Sequence, residues 1–186
     1  DVPPVPYVKQ REKMDAVPAI SKQRRYVMEE REQKLKAYAE TSPFNAEEMH
    51  DTKIGIVAAG AAYMYARDVL GDRASYLKLG FTYPLPLQKI RDFAAKVDTL
   101  YVVEELDPFM EDQIHGAGIA CHGRDVIPGI DELNPNIVAA AILQQQRQGV
   151  TIPDTYVVPR PPALCAGCPH RGFFYALGKR KDTVMV

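Results

Sequence analysis

The sequence predicts an α/β fold with a mostly parallel sheet flanked by helices, preceded by a peripheral helix and followed by a short tail from another domain. Short, continuously apolar segments alternate along the middle of the chain with segments of helix-forming residues. Such strands are typical of parallel sheets that are covered on both faces. A proline-rich stretch then separates this pattern from a final segment that contains two of the three cysteines. The sequence therefore indicates one α/β domain with additions at both ends.

The composition is that of an ordinary globular protein, since 46% of the 186 residues are hydrophobic and 25% are charged. The formal net charge of -1 gives no electrostatic reason to expect nucleic acid or an anionic membrane as a partner. No apolar run approaches the roughly 20 residues of a membrane-spanning helix. No basic start followed by an apolar segment marks a secretory signal. The odd number of cysteines fits a reducing compartment, so a cytoplasmic location is expected.

Residues 1–50 are predicted to form an extended, proline-rich segment followed by a linking helix over 21–39. Charged helix formers dominate that helix, which favours a peripheral helix packed on a neighbouring domain. A charged helix that recruits a partner protein is the alternative. Asn45 and Glu48 have the spacing of a capping box, so they predict a short helical turn.

Strand and helix segments alternate through residues 51–149, the predicted α/β domain. The predicted strands are 53–58, 75–79 and 99–104, with a possible fourth at 119–121. The predicted helices are 61–70, 87–96, 107–116 and 136–148, the last of them capped by Asn134 and Pro135. This order predicts parallel strands joined by helices that cover both faces of the sheet.

Four prolines in residues 150–162 predict a linker, beyond which residues 163–186 begin a new domain. The chain starts at Asp1 without a methionine, in a proline-rich stretch. The apolar run 182–186 reads as the start of a buried strand. We therefore expect the chain to be a piece cut from a larger subunit.

Ala59-Gly60 follows the first predicted strand, where a pyrophosphate lies in dinucleotide-binding folds. That motif needs three glycines at set spacing, and only one is present here. A tight strand-to-helix turn is the simpler interpretation.

Three carboxylates, Glu104, Glu105 and Asp107, follow the third predicted strand. Ligand groups often lie at this end of a parallel sheet, so the cluster could bind a metal or act in acid–base steps. Alternatively, Asp107 caps the next helix and the glutamates pair with basic groups across a domain interface. We favour the second interpretation. Cys121 is interpreted as a buried, inert cysteine, and His50 and His115 as surface or interface histidines.

The most specific segment contains Cys165 and Cys168, spaced Cys-x-x-Cys, with His170 two residues further on. This spacing lets two thiolates face one metal from a single tight turn, which Gly167 eases. A closed site needs four ligands, and Cys121 and His170 are the other candidates. Either residues missing from this chain complete the site, or the cysteines are not ligands. A thioredoxin-like redox pair is disfavoured, because it normally opens a helix after a strand, whereas a proline-rich linker precedes it here and Pro169 follows.

The run 165–177, CAGCPHRGFFYAL, resembles a hallmark of the alpha subunit of indolepyruvate ferredoxin oxidoreductase. Further segments are similar to the same subunit in the same order, namely 53–57, 77–80 with 83–86, and 100–109. The resemblance covers most of the chain from about residue 17 onward. It implies that residues 51–149 are similar to the transketolase C-terminal domain and that residues 163–186 begin a thiamine diphosphate-binding domain.

The resemblance also implies the chemistry of a parent enzyme, which oxidatively decarboxylates aryl 2-oxoacids to acyl-coenzyme A and passes electrons to ferredoxin. Such enzymes use thiamine diphosphate with Mg²⁺, 4Fe-4S clusters and coenzyme A, and this subunit pairs with a beta subunit. Cys165, Cys168 and His170 would then lie near the thiamine or cluster site, and the two cysteines would form part of an incomplete iron–sulfur site.

The resemblance implies no catalytic residue in this chain, which we expect to be structural, inactive alone and without a bound cofactor. Two alternatives remain open. One is another ferredoxin oxidoreductase of this class, acting on pyruvate or 2-oxoglutarate. The other is a non-catalytic α/β assembly domain with a Cys-x-x-Cys metal tail.

Overall fold

The computed structural model describes residues 3–146, 149–150, 152–159 and 161–180. The chain divides into two compact units, Asp1–Arg147 and Gln148–Val186. The last predicted helix of the α/β domain ends at Leu143, because Gln144 adopts the left-handed conformation, so its predicted extension through residues 144–146 is wrong. Residue 148 and the predicted strand at 182–186 lie outside the described residues. Among the described residues, no helix combines the length and the apolarity that crossing a membrane requires.

A four-stranded sheet with strand order β1-β3-β2-β4 organises the first unit. Its strands are β1 (Asn45–Glu48), β2 (Ile54–Ala59), β3 (Ser75–Leu79) and β4 (Thr99–Val103). The central strand β2 pairs in parallel with β3 and with β4, whereas β1 pairs antiparallel with β3 at one edge. The predicted α/β fold with a mostly parallel sheet is therefore confirmed.

The described residues contain seven α-helices. Six lie in the first unit: α1 (Arg11–Met14), α2 (Pro18–Thr41), α3 (Gly60–Leu70), α4 (Leu87–Ala94), α5 (Phe109–Gly116) and α6 (Pro135–Leu143). The seventh, α7 (Pro169–Gly178), lies in the second unit. The side chain of Asn134 caps α6, as predicted, by accepting hydrogen bonds from the N–H groups of Asn136 and Ile137.

Two further short segments differ from the prediction. Asn45 and Glu48 do not frame a helical turn but bound the edge strand β1, because the side chain of Asn45 bonds to distant backbone groups rather than to the following turn. Residues 119–121 do not form a fourth strand. Instead His122 makes an isolated parallel bridge to Tyr101, with its N–H donating to the carbonyl of Leu100.

Apolar side chains cover both faces of the sheet, which explains why the strands read as continuous apolar runs. On one face, β2 residues Ile56 and Ala58 pack with α3 and α6. On the other face, Val57 packs in a cluster that includes residues of α4 and α5. The largest side chains shielded completely or almost completely from solvent come from both clusters: Tyr76, Phe93, Ile56, Leu70, Leu77, Leu79, Ile90, Ile114 and Ile127.

The long helix α2 lies at the periphery of the first unit, and Ala39 is the one buried residue among its 24. Ion pairs spaced four residues apart stabilise its exposed part; they are Arg25–Glu29, Glu30–Lys34 and Glu32–Lys36. At its end, the carboxylate of Glu40 accepts hydrogen bonds from the N–H groups of Gln88 (3.1 Å) and Lys89 (2.8 Å). Glu40 thereby supplies a cap for α4, which has no side-chain cap from its own N-cap residue.

Ionisation of the Tyr63 phenol makes the stability of this unit fall as the pH rises in the alkaline range. Tyr63 is buried and donates a hydrogen bond to Glu48 at 2.7 Å. Burial, with a smaller effect of Glu48, raises its pKa from the usual 10.0 to about 12. Because the folded state then holds this proton more tightly than the unfolded state, the contribution is complete below about pH 10. It is lost as the pH rises towards 12.

We therefore expect the free energy of unfolding to fall between pH 10 and pH 12 less steeply in Tyr63→Phe than in the unaltered chain. Urea unfolding at a series of alkaline pH values measures this. The exposed Tyr26→Phe controls for loss of a phenol as such. Equal slopes for Tyr63→Phe and the unaltered chain would contradict the prediction.

Candidate functional site

The two cysteines of the second unit lie at the ends of one hydrogen-bonded turn. The N–H of Cys168 donates to the carbonyl of Cys165 at 3.1 Å. Gly167 has φ +78°, in the left-handed region that only glycine adopts readily. A positive φ at the third position of a turn is the signature of a type II turn, which explains the glycine. The predicted tight turn between the cysteines is confirmed.

Helix α7 begins at Pro169, immediately after this turn. Pro169 suits this position, because proline is favoured at the first helical position, where no N–H is needed. The Sγ of Cys168 lies 3.4 Å from Nδ1 of His170. Cys165 is exposed and Cys168 is partly buried. The structure thus brings one cysteine and the histidine into contact and leaves the other cysteine open to solvent.

The helix that follows the turn buries none of its residues within the second unit. Its aromatic side chains Phe173, Phe174 and Tyr175 are 62%, 45% and 67% exposed. Phe173 and Phe174 contact each other edge to face, with ring centroids 5.5 Å apart. Among the described residues, the cysteine turn is therefore followed by a short helix that buries none of its side chains.

A metal or cluster would find an incomplete set of ligands here. Within the part of the chain that the structure describes, no three His, Cys, Asp or Glu side chains lie close enough together to hold a metal ion. The thiols of Cys165 and Cys168 suit zinc or an iron–sulfur cluster in chemical type, but a closed site needs four ligands. The residues present therefore do not fit a complete cluster site.

Glu104, the first carboxylate after β4, caps the next helix. Its side chain is 9% exposed and accepts hydrogen bonds from the N–H groups of Met110 (2.9 Å) and Glu111 (3.0 Å). The prediction that Asp107 caps α5 is wrong, because Asp107 instead offers its main-chain carbonyl to the N–H of Phe109. The carboxylate of Glu104 also interacts favourably with the dipole of α5, because it lies at the N-terminus of that helix.

Glu105 likewise bonds within the first unit, where it accepts a hydrogen bond from the N–H of Leu133 at 2.8 Å. It lines a shallow groove with Leu106, Asp131 and Glu132. Leu106 and Asp131 have φ of 59° and 63°, unusual for residues other than glycine. A role of Glu104, Glu105 and Asp107 at an interface stays a prediction, since both glutamates have partners inside this unit.

A buried carboxylate that the sequence did not mark lies behind this loop. Glu111 is 7% exposed and accepts a hydrogen bond from the N–H of Arg124 at 2.9 Å. The preceding residue, Gly123, has no room for a side chain, because a Cβ there would collide with the Glu111 carboxylate. Nothing in the spacing of Glu111 within α5 distinguishes it from an exposed helix residue.

The histidines and Cys121 have structural partners. His122 Nδ1 lies 2.6 Å from the carboxylate of Asp125, and this hydrogen bond lowers the pKa of Asp125. His115 Nε2 lies 3.1 Å from the carbonyl of Cys121. Burial, with smaller effects of nearby carboxylates, raises the pKa of the Cys121 thiol to about 11. A thiol of that pKa is protonated at neutral pH, which agrees with an inert cysteine.

The glycine after β2 makes a simple strand-to-helix turn. Ala59 ends β2 and Gly60, with φ +54°, begins α3. The interpretation of Ala59-Gly60 as a tight turn is confirmed.

Comparison with curated proteins gives consistent relatives. The indolepyruvate oxidoreductase subunit IorA of Methanothermobacter marburgensis is 35% identical over 179 residues, which cover 87% of this chain and 29% of that protein. IorA of Pyrococcus horikoshii is 31% identical over 197 residues, covering 93% and 30%. IorA of Pyrococcus abyssi is 32% identical over 185 residues, covering 88% and 28%.

No family profile and no solved structure matches the chain. The chain spans 28–30% of the length of these three curated relatives. The resemblance stated from the cysteine run and the strand segments is confirmed by these alignments, which extend over most of the chain. The chain therefore belongs to the family of the indolepyruvate oxidoreductase subunit IorA, of which it represents a segment of less than a third.

Proposed function

We propose that the chain is the middle part of the alpha subunit of a thiamine diphosphate-dependent indolepyruvate ferredoxin oxidoreductase. In this proposal the first unit contains the α/β domain similar to the transketolase C-terminal domain, and residues 163–186 begin the thiamine diphosphate-binding domain. The observation that carries the proposal is a mostly parallel sheet, covered on both faces, in a chain that aligns with IorA over most of its length.

The parent enzyme converts aryl 2-oxoacids and coenzyme A to acyl-coenzyme A in the cytoplasm, with a beta subunit as partner and ferredoxin as the electron acceptor. Thiamine diphosphate with Mg²⁺ supplies the carbanion-stabilising chemistry when bound, and 4Fe-4S clusters carry the electrons. This chain contributes no catalytic residue in our proposal. Its own part is to hold neighbouring domains in place.

The bonding of the polar groups after β4 supports a structural role for the first unit. The carboxylates of Glu104, Glu105 and Glu111 accept hydrogen bonds from backbone N–H groups within the unit. Carboxylates engaged in this way position α5 and the loops beside it. Of the three proposed interface carboxylates, Glu105 and Asp107 are exposed and Glu104 is buried.

Cys165, Cys168 and His170 are proposed to lie near the thiamine or cluster site of the whole subunit. The two thiols would supply at most part of an iron–sulfur ligand set, and other segments of the subunit would complete it. The contact between Cys168 and His170 supports this grouping, because it places two ligand-type side chains on one side of the turn.

The test compares the holoenzyme that contains this chain with the chain alone. With indolepyruvate, coenzyme A, thiamine diphosphate and Mg²⁺, we expect the holoenzyme to reduce ferredoxin, and to do so faster than with pyruvate or 2-oxoglutarate. The chain alone is expected to be inactive, because in this proposal it contains only part of the domains that hold thiamine diphosphate. A preference for pyruvate or 2-oxoglutarate would contradict the substrate class. Turnover in proportion to the concentration of the chain alone would contradict the structural role.

A further inference from the structure

Arg124 has two buried hydrogen-bond donors that no group in the described part of the chain accepts. Its Nη1 donates to the carbonyl of Pro128 at 3.0 Å. Its Nε and Nη2 are almost completely shielded from solvent, and among the described residues neither has a hydrogen-bond partner. A buried donor without a partner is destabilising, and a charged one more so. A group of opposite charge that reached these nitrogens would therefore bind favourably.

The two unpaired nitrogens lie on the same edge of the guanidinium plane. On this edge the N–H of Nε and one N–H of Nη2 point in the same direction, so together they match the two oxygens of a carboxylate. The hydrogen bond from Nη1 to Pro128 fixes the orientation of the plane. The geometry of Arg124 thus suits a carboxylate held by two parallel hydrogen bonds.

Arg124 adjoins the groove that follows β4. A Cβ at Gly129 would lie 3.6 Å from Cδ of Arg124, 3.7 Å from its Nε and 3.6 Å from the carbonyl oxygen of Leu106. Leu106 lines the groove, whose volume is about 780 Å³. Pockets for small ligands have volumes of roughly 300–1,000 Å³. The guanidinium therefore lies beside a space that is large enough for a small molecule.

Two other kinds of group line this groove, namely carboxylates and apolar side chains. The carboxylates are Glu105, Asp131 and Glu132, and the apolar side chains are Leu106 and Ile137. The carboxylates would repel a phosphate or a dicarboxylate, whereas a metal ion would be repelled by the guanidinium and would leave its donors unpaired. A ligand with one carboxylate, one ammonium group and an apolar part satisfies all three kinds of group.

We propose that Arg124 and this groove form a binding site for an α-amino acid with an aliphatic side chain. Nε and Nη2 of Arg124 bind the ligand carboxylate, and the ammonium group lies among the carboxylates of the groove. The aliphatic side chain packs against Leu106 and Ile137. The site lies in the first unit and uses none of the three cysteines. It goes beyond the proposed enzyme function and does not depend on it.

The segment 128–131 must shift for a carboxylate to reach the buried nitrogens, because it lies against the guanidinium. All four of its residues are exposed, so a shift uncovers no core side chain. We therefore expect the backbone N–H groups of this segment to respond when the ligand binds.

NMR titration of the isotope-labelled chain with L-leucine tests the site. We expect saturable shifts of the Nε–H resonance of Arg124 and of the backbone N–H of Gly129, with a dissociation constant of roughly 1 mM or below. Two analogues separate the charges, since isocaproate lacks the ammonium group and isopentylamine lacks the carboxylate. Each should bind at least about tenfold more weakly than leucine, because each leaves charged groups of the site unpaired.

Two variants assign the charges to residues. Arg124→Lys keeps the charge but loses the paired donors, so leucine and isocaproate should bind about tenfold more weakly and isopentylamine as before. Glu132→Gln should weaken the binding of leucine and isopentylamine but not that of isocaproate. Arg91→Lys is the matched control, because Arg91 also donates to a main-chain carbonyl, that of Ala117, and does not line the groove. It should leave all three affinities unchanged.

Three outcomes would overturn the proposal. They are the absence of any saturable shift with leucine, an analogue that binds as tightly as leucine, and an Arg124→Lys chain that binds leucine as tightly as the unaltered one. If Arg124→Lys does not fold, which its spectrum reveals, the comparison of leucine with its analogues in the unaltered chain decides. None of these results bears on the substrate of the holoenzyme.

Discussion

Replacing Asn45 with alanine is expected to lower the free energy of unfolding by about 3–5 kcal/mol. Asn45 is 1% exposed. Its side-chain oxygen accepts hydrogen bonds from the N–H groups of Gly80 (3.1 Å) and Phe81 (2.9 Å), and its amide donates to the carbonyl of Ala39 at 2.9 Å. Alanine removes the partner of the N–H of Phe81 and of the carbonyl of Ala39, whereas the N–H of Gly80 still donates to the carbonyl of Phe44. Each buried group left without a partner costs about 1–3 kcal/mol.

Urea unfolding measures this loss, with Asn134→Ala as the matched control. Asn134 also accepts two hydrogen bonds from backbone N–H groups, but it is exposed at the N-terminus of α6. Water can replace its side chain, so a loss of about 1 kcal/mol is expected. Similar losses for the two variants would show that burial of Asn45 is not the source of its effect.

Replacing Glu104 with alanine is expected to cost about 3 kcal/mol, because the N–H groups of Met110 and Glu111 both lose a charged acceptor. Glu104→Gln should cost about half as much, since an amide has one acceptor oxygen where the carboxylate has two. Unfolding in urea gives the free energies. Hydrogen exchange at Met110 and Glu111 reports the first turn of α5 directly.

Glu132→Ala is the control for loss of a glutamate from the same region. Glu132 is exposed in the groove beside Glu105, so its replacement should change the stability by no more than about 0.5 kcal/mol. Faster exchange in the Glu104 variants confined to α5 would support the capping role. An Ala variant at position 104 as stable as the Glu132 variant would contradict it.

The elements that the sequence predicted are those whose cause is local. Strand β3 has the predicted bounds. All five of its residues pair with the neighbouring strand β2, and four of the five are buried. The turn between Cys165 and Cys168 could also be predicted, since a glycine and a hydrogen bond within four residues determine it. Local patterns of this kind are visible in a single sequence.

The features that the sequence did not reveal depend on contacts between distant segments. Strand β1 is polar, and the bonds of Asn45 to residues 35 and 36 positions away place it at the sheet edge. Glu104 is nearer, six residues before Met110, but it caps α5 through the path of the intervening loop and not from the N-cap position that local rules would predict. The capping-box spacing at Asn45 favours a helical turn locally, but the hydrogen bonds of Asn45 to distant backbone groups stabilise an edge strand instead.

The length of α2 has a consequence for how it can act on the α/β unit. A helix of 24 residues is about 36 Å long, so a tilt of about 5° at its base moves its far end by about 3 Å. Glu40 ties that base to the first turn of α4, which lies directly on the sheet. A change in the direction of α2 would therefore act on the first turn of α4 through the carboxylate of Glu40, and a displacement of a few ångströms at the far end of α2 would reach α4 as a much smaller one.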